Sequence, residues 1–256
     1  MKIVVTSGGT TEPIDRVRSI TNMSTGKLGS LIADCFSRAS CVDEIIYICG
    51  PAAIRPQSAK VRAVCIDTAA SLENAVKDTL AKGSADIIVH GMAVSDYRVK
   101  SVTSGGMLTE HLLSLREQAA FTGRREAKEY IAALLNGSQS IIGAHGKIGS
   151  DIEDMVLLME RTPKVISLFQ TAAPNAILIG FKLLDGVTRE TLIQRGYQLL
   201  TDNRCRFVLA NDLTQISDET HVGYLIDRNK KYTCYQTKQD IANAIVTAAL
   251  RERGIQ

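Results

Sequence analysis

Six short apolar runs set the frame of this chain: KIVVT at 2–6, EIIYIC at 44–49, VRAVCI at 61–66, ADIIVHGMAV at 85–94, AILIGFK at 176–182 and CRFVLAN at 205–211. They are rich in β-branched residues and lack the apolar/polar alternation of a half-exposed strand, so they read as strands covered on both faces. Between them, apolar residues recur at helical spacing. Leu28, Leu31, Ile32, Cys35 and Phe36 fall on one stripe, and SLENAVKDTL and TRETLIQRGYQLL behave alike. Strands alternating with helices imply a mostly parallel sheet with helices on both faces, a three-layer α/β/α Rossmann-like fold. At 256 residues the chain can bury one sizeable core, and a single domain over 1–256 is expected.

Two segments interrupt the alternation. From about 103 to 150, with Gly105 and Gly106, the helical-looking EAKEYIAALL and a polar joint at NGSQS, the pattern predicts a flap or insertion. Around 222–235, HVGYLIDRNKKYTCYQ forms two alternating runs about a polar turn and reads as a C-terminal β-hairpin arm. Its Tyr224, Ile226, Tyr232 and Cys234 are suited to packing on the core or pairing with another subunit. A terminal helix over Lys238 to Arg253 is expected to close the chain.

Several function classes fall away. The formal net charge is +3, with Lys and Arg scattered, which gives no electrostatic footprint for nucleic acid. No run is long and apolar enough to cross a membrane, and the first residues lack a signal-peptide pattern. The six cysteines never form a CxxC pair and several lie in apolar runs, which suits small buried hydrophobes in a reducing compartment. A cytoplasmic location is the expectation. The four histidines are scattered and acquire no role, and no acidic group forms a metal cluster.

The chemistry concentrates in the first loop, TSGGTTEPIDRVRSITNMSTGK, which follows the first strand. It lacks a P-loop, because Gly26-Lys27 is followed by Leu28 and preceded four residues earlier by Asn22. It lacks GxGxxG, since Gly8 and Gly9 are adjacent and no third glycine follows at the required spacing. No tyrosine has a lysine four residues on, as a short-chain dehydrogenase would need. What remains is Ser24, suited to capping a helix from about residue 24. The amides of Thr25, Gly26 and Lys27 would then point out of the helix start, where the dipole favours an anion. With Arg18, Asn22 and Lys27 close in sequence, the loop reads as an anion site. An NAD(P)-binding oxidoreductase and a non-catalytic nucleotide-binding domain both stay open on these residues alone.

TSGGTTEPIDRVRSITNMSTGKLG resembles the opening signature of the phosphopantothenoylcysteine synthetase family. Further matches follow in order: MAVSDY at 92–97, GKI at 146–148 before LLMERTPKVI, GF at 180–181 and VLAND at 208–212. The resemblance covers residues 3–212 and is most similar to the stand-alone bacterial branch, which implies no flavin. It implies a ligase of coenzyme A biosynthesis joining 4'-phosphopantothenate to L-cysteine. CTP, or ATP, would activate the carboxylate, magnesium would be held mainly by the triphosphate, and the protein would act as a homodimer.

The resemblance assigns roles residue by residue. Asn22 matches the catalytic asparagine and Lys147 the lysine of a flexible flap. Arg18, with Asn22 and the turn Gly8, Gly9 and Thr10, would contact phosphopantothenate. Ser24, Thr25, Gly26, Lys27, Asp96, Lys147, Phe181 and Asn211 would contact the nucleotide. Asp212 beside Asn211 follows a strand end, where open α/β sheets place ligands. Gly149 and Ser150 stand where family members often carry a second flap lysine, and GFKLLD replaces a more common GFAAET.

Overall fold

In the computed structural model, residues 1–118, 124–126, 128, 129, 132, 148, 149, 152–217 and 219–255 are described. The chain forms two compact units. One comprises Met1–Thr11, Thr21–Ser95 and Pro163–Gln256; the other comprises Glu12–Ile20 and Asp96–Thr162.

The first unit is built on an eight-stranded sheet. Its strands are β1 (Lys2–Ser7), β4 (Glu44–Cys49), β5 (Val61–Cys65), β6 (Ile87–His90), β9 (Ile177–Leu184), β10 (Phe207–Asp212), β11 (Gly223–Asp227) and β12 (Tyr232–Tyr235). In space they run β12-β11-β10-β9-β6-β1-β4-β5. All pairings from β5 to β10 are parallel, whereas β10–β11 and β11–β12 are antiparallel. The expected α/β/α fold is therefore the observed one. The hairpin is formed by β11 and β12 and extends the sheet: Tyr224 and Ile226 are buried, while Tyr232 and Cys234 stay exposed.

Strand pleating explains the layers, since successive side chains point to opposite faces. Ile3, Val5, Ile45, Tyr47, Ile87 and Val89 pack with Ile32 and Phe36 of α1 (Lys27–Ser37) and with Ile241 and Ile245 of the C-terminal helix Lys238–Glu252. Their intervening neighbours Val4, Ile46, Ile48 and Ile88 pack on the other side. There they meet Leu72 and Val76 of α2 (Ala69–Ala81) and Val165 and Phe169 of α4 (Val165–Ala172). Helix α5 (Arg189–Asp202) adds Leu192 and Ile193 against Ala210, Tyr224 and Ile226. Each such aliphatic side chain contributes about 1.5–3 kcal/mol on burial. The C-terminal helix is α6.

Helices α2, α5 and α6 start on Thr68, Thr188 and Thr237, whose side chains accept N–H groups of the first turn. Helix α1 does not follow this rule. The expected start at Ser24 is corrected to Lys27, with Gly26 as the N-cap at φ +69 and no side-chain cap. The reason is local: the N–H of Ser24 turns back to the carbonyl of Asn22 at 2.9 Å, which closes a tight turn before the helix can begin.

Asp212, at the end of β10, anchors the loop into α5. It accepts the Thr214 hydroxyl at 2.7 Å and the N–H groups of Thr214 (2.9 Å), Val187 (2.9 Å) and Gly186 (3.1 Å). These donors, the Thr214 hydroxyl first, lower its carboxyl from 3.8 to about 2. A carboxylate with a depressed folded value stabilises above its unfolded value and loses that contribution as pH falls through the folded one. Asp212→Asn should therefore flatten the loss of stability between 3.8 and about 2, measured as the acid limb of urea midpoints. An unchanged acid limb would refute this anchoring.

The second unit contains an antiparallel ribbon of β7 (Tyr97–Ser104) and β8 (Met155–Arg161), paired from Tyr97–Arg161 to Ser104–Met155 with a register shift between Val99 and Ser101. Arg98 and Glu160 form an ion pair across it at 2.7 Å. Helix α3 (Gly105–Gln118) follows β7 directly, and the N–H of Gly105 donates to the Asp154 carbonyl at 3.0 Å. A further ribbon, β2 (Thr11–Pro13) with β3 (Ser19–Thr21), occupies the first loop. Much of the flap expected over 103–150 lies outside the described residues.

Candidate functional site

The strand order places the site. From β1 the chain moves outward through α1 to β4 and then β5, and returns through α2 to β6 on the opposite side of β1. Connections diverge at this switch point, and open α/β sheets bind their ligands outside the carboxyl ends of the strands at such a point, here β1 and β6. The loops that follow those two strands carry TSGGT and GMAVS.

The turn after β1 is made by close backbone approaches. Gly8 sits at φ +82, a conformation that favours glycine, and a Cβ there would come within 2.7 Å of the Ala53 side chain. A Cβ on Gly9 would overlap the Asn22 carbonyl oxygen, and one on Gly50 would overlap the Gly9 carbonyl oxygen. The turn also pairs with the loop after β6. The Thr10 N–H donates to Ala93 O at 3.1 Å and the Ala93 N–H to Gly8 O at 2.8 Å. The Thr10 hydroxyl donates to Ser95 Oγ at 3.0 Å and accepts the Ser95 N–H at 2.8 Å.

Asn22 joins this assembly. Its Nδ2 donates to Ala93 O at 3.1 Å, the same carbonyl that receives Thr10, and its side chain is exposed. A side-chain amide has a second N–H and a carbonyl oxygen to offer. The structure thus brings Gly8, Gly9, Thr10 and Asn22 together. Phe181 comes close to the same loop, its ring carbons 3.5 and 3.6 Å from where a Cβ of Gly91 would stand.

The helix start lies next to the turn. Ser7 Oγ donates to Gly26 O at 3.0 Å, and the buried Tyr47 hydroxyl reaches the same oxygen at 3.4 Å and Ile54 O at 2.8 Å. Burial pushes Tyr47 up to about 12, so this phenol remains a donor. Gly29 lets α1 approach β1, since a Cβ would collide with the Ser7 side chain. Because the helix starts at Lys27 with Gly26 as its N-cap, the amides without an intrahelical acceptor are those of Gly26, Lys27, Leu28 and Gly29; Gly26 and Lys27 of the expected set stand at the helix start, and Thr25 lies before it. The Lys27 N–H meets Thr25 Oγ1 at 3.4 Å, and Thr25 O receives the Ile54 N–H at 2.9 Å. Ser24 lies in the turn before the helix, and the Lys27 side chain is exposed.

Other expected residues fall elsewhere. Asn211 is buried on β10, where its Nδ2 donates to Val222 O at 2.9 Å and holds the entry to β11. Arg18 and Asp96 belong to the second unit, and Lys147 lies outside the described residues. Arg18 pairs with Asp15 at 3.6 Å and donates to Ile148 O at 3.4 Å, while Asp15 accepts the Ile148 N–H at 3.1 Å. Backbone donation from Val17 chiefly, with Ile148, Arg18 N–H and the Arg18 charge, lowers Asp15 against partial burial. The residue after Lys147 is thus tied to the tip of the first loop. Asp96 is exposed, and its carbonyl accepts the Thr162 N–H at 3.0 Å.

Sequence reasoning missed three supporting groups. Asp15 had no signal beyond its place in the loop. The Ser7–Tyr47 pair required knowledge of which strands are neighbours. His90, given no role, is fully buried with a ring nitrogen 2.7 Å from Thr6 Oγ1, and burial lowers it to about 4. That neutral ring supports Thr6, whose Oγ1 also lies 3.4 Å from the Met92 N–H in the loop after β6.

The family model described as DNA/pantothenate metabolism flavoprotein C-terminal domain matches residues 1–117. The coenzyme A biosynthesis bifunctional protein CoaBC of Methanocaldococcus jannaschii is 25% identical over 96% of this chain and 49% of its own length. That of Thermococcus kodakarensis is 26% identical over 95% and 49%. The chain thus spans about half the length of these curated relatives. Among solved structures, a Cab2 variant in complex with phosphopantothenate-cysteine shares the fold at TM-score 0.65 and 15% identity, over 98% of this chain and 85% of that one. The DNA/pantothenate metabolism flavoprotein of Streptococcus pneumoniae superposes at TM-score 0.78 with 32% identity over 98% of this chain and 99% of that one. Since this last likeness runs through the switch-point loops and nearly every other residue, the chain belongs to the phosphopantothenoylcysteine synthetase family.

Proposed function

We propose that the chain is a ligase that joins 4'-phosphopantothenate to L-cysteine through an acyl-cytidylate made from CTP. The observation that carries this reading is the turn of Gly8, Gly9 and Thr10 at the switch point, with the Asn22 amide anchored on Ala93. The ligand named for the Cab2 complex supports the substrate class.

On this reading a carboxylate oxygen of phosphopantothenate attacks the α-phosphorus of CTP and pyrophosphate leaves. The amine of cysteine then attacks the acyl carbonyl, CMP departs and the ammonium proton passes to solvent. Negative charge grows on oxygen in both steps, so the protein mainly positions the reactants and compensates charge. Asn22 supplies its second N–H to the carbonyl or phosphoryl oxygen. The Gly26, Lys27, Leu28 and Gly29 amides, with the Lys27 ammonium, face the nucleotide phosphates, together with Ser24 and Thr25. Phe181 walls the crevice. Arg18, Asp96, Asn211 and the flap residue Lys147 keep the roles implied by the resemblance as parts of this proposal, as does a homodimer. Among the described residues no cluster of three His, Cys, Asp or Glu could hold a metal, so magnesium would arrive on the triphosphate. Among them, too, no helix is long and apolar enough to cross a membrane.

Pyrophosphate release should require phosphopantothenate and occur with CTP, and CMP release should require cysteine as well. Release with ATP but not CTP would overturn the choice of nucleotide. Nucleotide binding with no pyrophosphate under any combination would leave only a binding domain.

A further inference from the structure

Cys49 and Cys65 stand in register across the parallel pair β4–β5, at the carboxyl ends of both strands, which sets their α-carbons about 5 Å apart, within the span a disulfide bridges. They differ in access. Cys49 is fully buried; Cys65 is exposed and accepts a bond from Arg55 Nη2 at 3.0 Å. Its exposure makes Cys65 the sulfur that a dissolved oxidant meets first. Burial pushes the Cys49 thiol up to about 11, so it keeps its proton at neutral pH.

Both strand ends lead to the turn after β1. Gly50, next to Cys49, donates its N–H to Ser7 O at 3.2 Å and lies against the Gly9 carbonyl. Beyond Cys65, the Ile66 N–H donates to Cys49 O at 3.0 Å, and Asp67 O receives the Thr11 N–H at 2.6 Å. Any shift of the two sulfurs towards each other is therefore passed to Gly9 from one side and to Thr11 from the other.

We propose that Cys65 and Cys49 are an oxidisable dithiol that hydroperoxides convert to a disulfide, and that this bond loosens the Gly8–Thr11 turn. The Cys65 sulfur attacks the peroxide O–O bond and takes up one oxygen as a sulfenic acid, while its thiol proton passes to the displaced oxygen, which leaves as water or an alcohol. The Cys49 sulfur then displaces the hydroxyl, which leaves as water with the Cys49 proton. Two thiols lose two electrons, and one hydroperoxide gains them. The pairing is independent of the ligase reading, because it is read from sulfur chemistry and backbone amides alone.

The test is titration of the full chain with hydrogen peroxide, followed by thiol counting, peptide mapping and amide hydrogen exchange. The expected result is a loss of two of the six free thiols, a Cys49–Cys65 linked peptide and severalfold faster exchange at Gly50 and Thr11, all reversed by dithiothreitol. Cys65→Ser should abolish the link while its untreated exchange pattern matches wild type. Oxidation of Cys65 to a sulfinate with Cys49 still reduced would overturn the dithiol. A disulfide that leaves exchange at Gly50 and Thr11 unchanged would overturn its coupling to the turn.

Discussion

Asn22→Ala should lower ligase turnover about 10²–10³-fold, roughly 3 kcal/mol, while the protein remains folded. The magnitude is that of removing one donor from a developing oxyanion. Folding should survive because Asn22 is exposed and belongs to none of the buried clusters. Among the described residues its side chain bonds to Ala93 O, which still receives the Thr10 N–H when Asn22 is cut back. The loss should fall on kcat more than on KM, since the second N–H is engaged chiefly as charge develops. Asn22→Asp should be at least as impaired, because it replaces a donor with an acceptor-only carboxylate. Full turnover in Asn22→Ala would remove the catalytic role; an effect confined to KM would make Asn22 a substrate-holding residue.

Gly9→Ala should impair both stability and turnover. The added methyl would occupy the space of the Asn22 carbonyl oxygen, which belongs to a backbone segment and not to the free end of a flexible chain. That carbonyl also receives the Ser24 N–H, so the segment before α1 must move with it. Overpacking of this kind costs about 2 kcal/mol, which for a chain of this size is a fall of about 4–8 °C in Tm. Turnover measured well below the new Tm should still be reduced more than tenfold, because displacement of Asn22 misaligns its amide. Normal Tm together with normal turnover would show that the Gly9–Asn22 contact has no consequence.

The sheet was legible in the sequence because a buried parallel strand writes its whole environment into local composition. The run at 44–49 is β4 residue for residue, and the terminal helix ends within one residue of expectation; the run at 61–66 matches the bounds of β5 but not the expected cover on both faces, because β5 is the edge strand and Arg62, Ala63 and Cys65 are exposed. The ribbon β7–β8 escaped because YRVKSVTS has neither a continuous apolar run nor a clean alternation, and because the apolar run MVLLM of β8 stays mostly half-exposed instead of entering the main sheet. The placement of α1 was misread because Ser24 has the right chemistry for a cap, yet its N–H closes a turn onto the Asn22 carbonyl, and the carbonyl of the actual N-cap, Gly26, is held by Ser7 and Tyr47 on strands distant in sequence. The resemblance marked Gly8, Gly9 and Thr10 as a group. Their attachment to the Ala93 and Ser95 backbone depended on β6 returning to the side of β1, which no local pattern encodes. Asn211 shows the opposite limit: an amide at a strand end can equally serve to fasten the next strand.

The interlocked carbonyls and α-carbons of Gly9, Asn22 and Gly50 leave the turn little room to rearrange. A receptor for anions that is assembled before its guest arrives spends little ordering entropy on capture. On the proposed reading, affinity for a phosphate there would be governed by the exchange of its hydration shell for fixed N–H dipoles, and discrimination among nucleotides would fall to more pliable parts of the molecule.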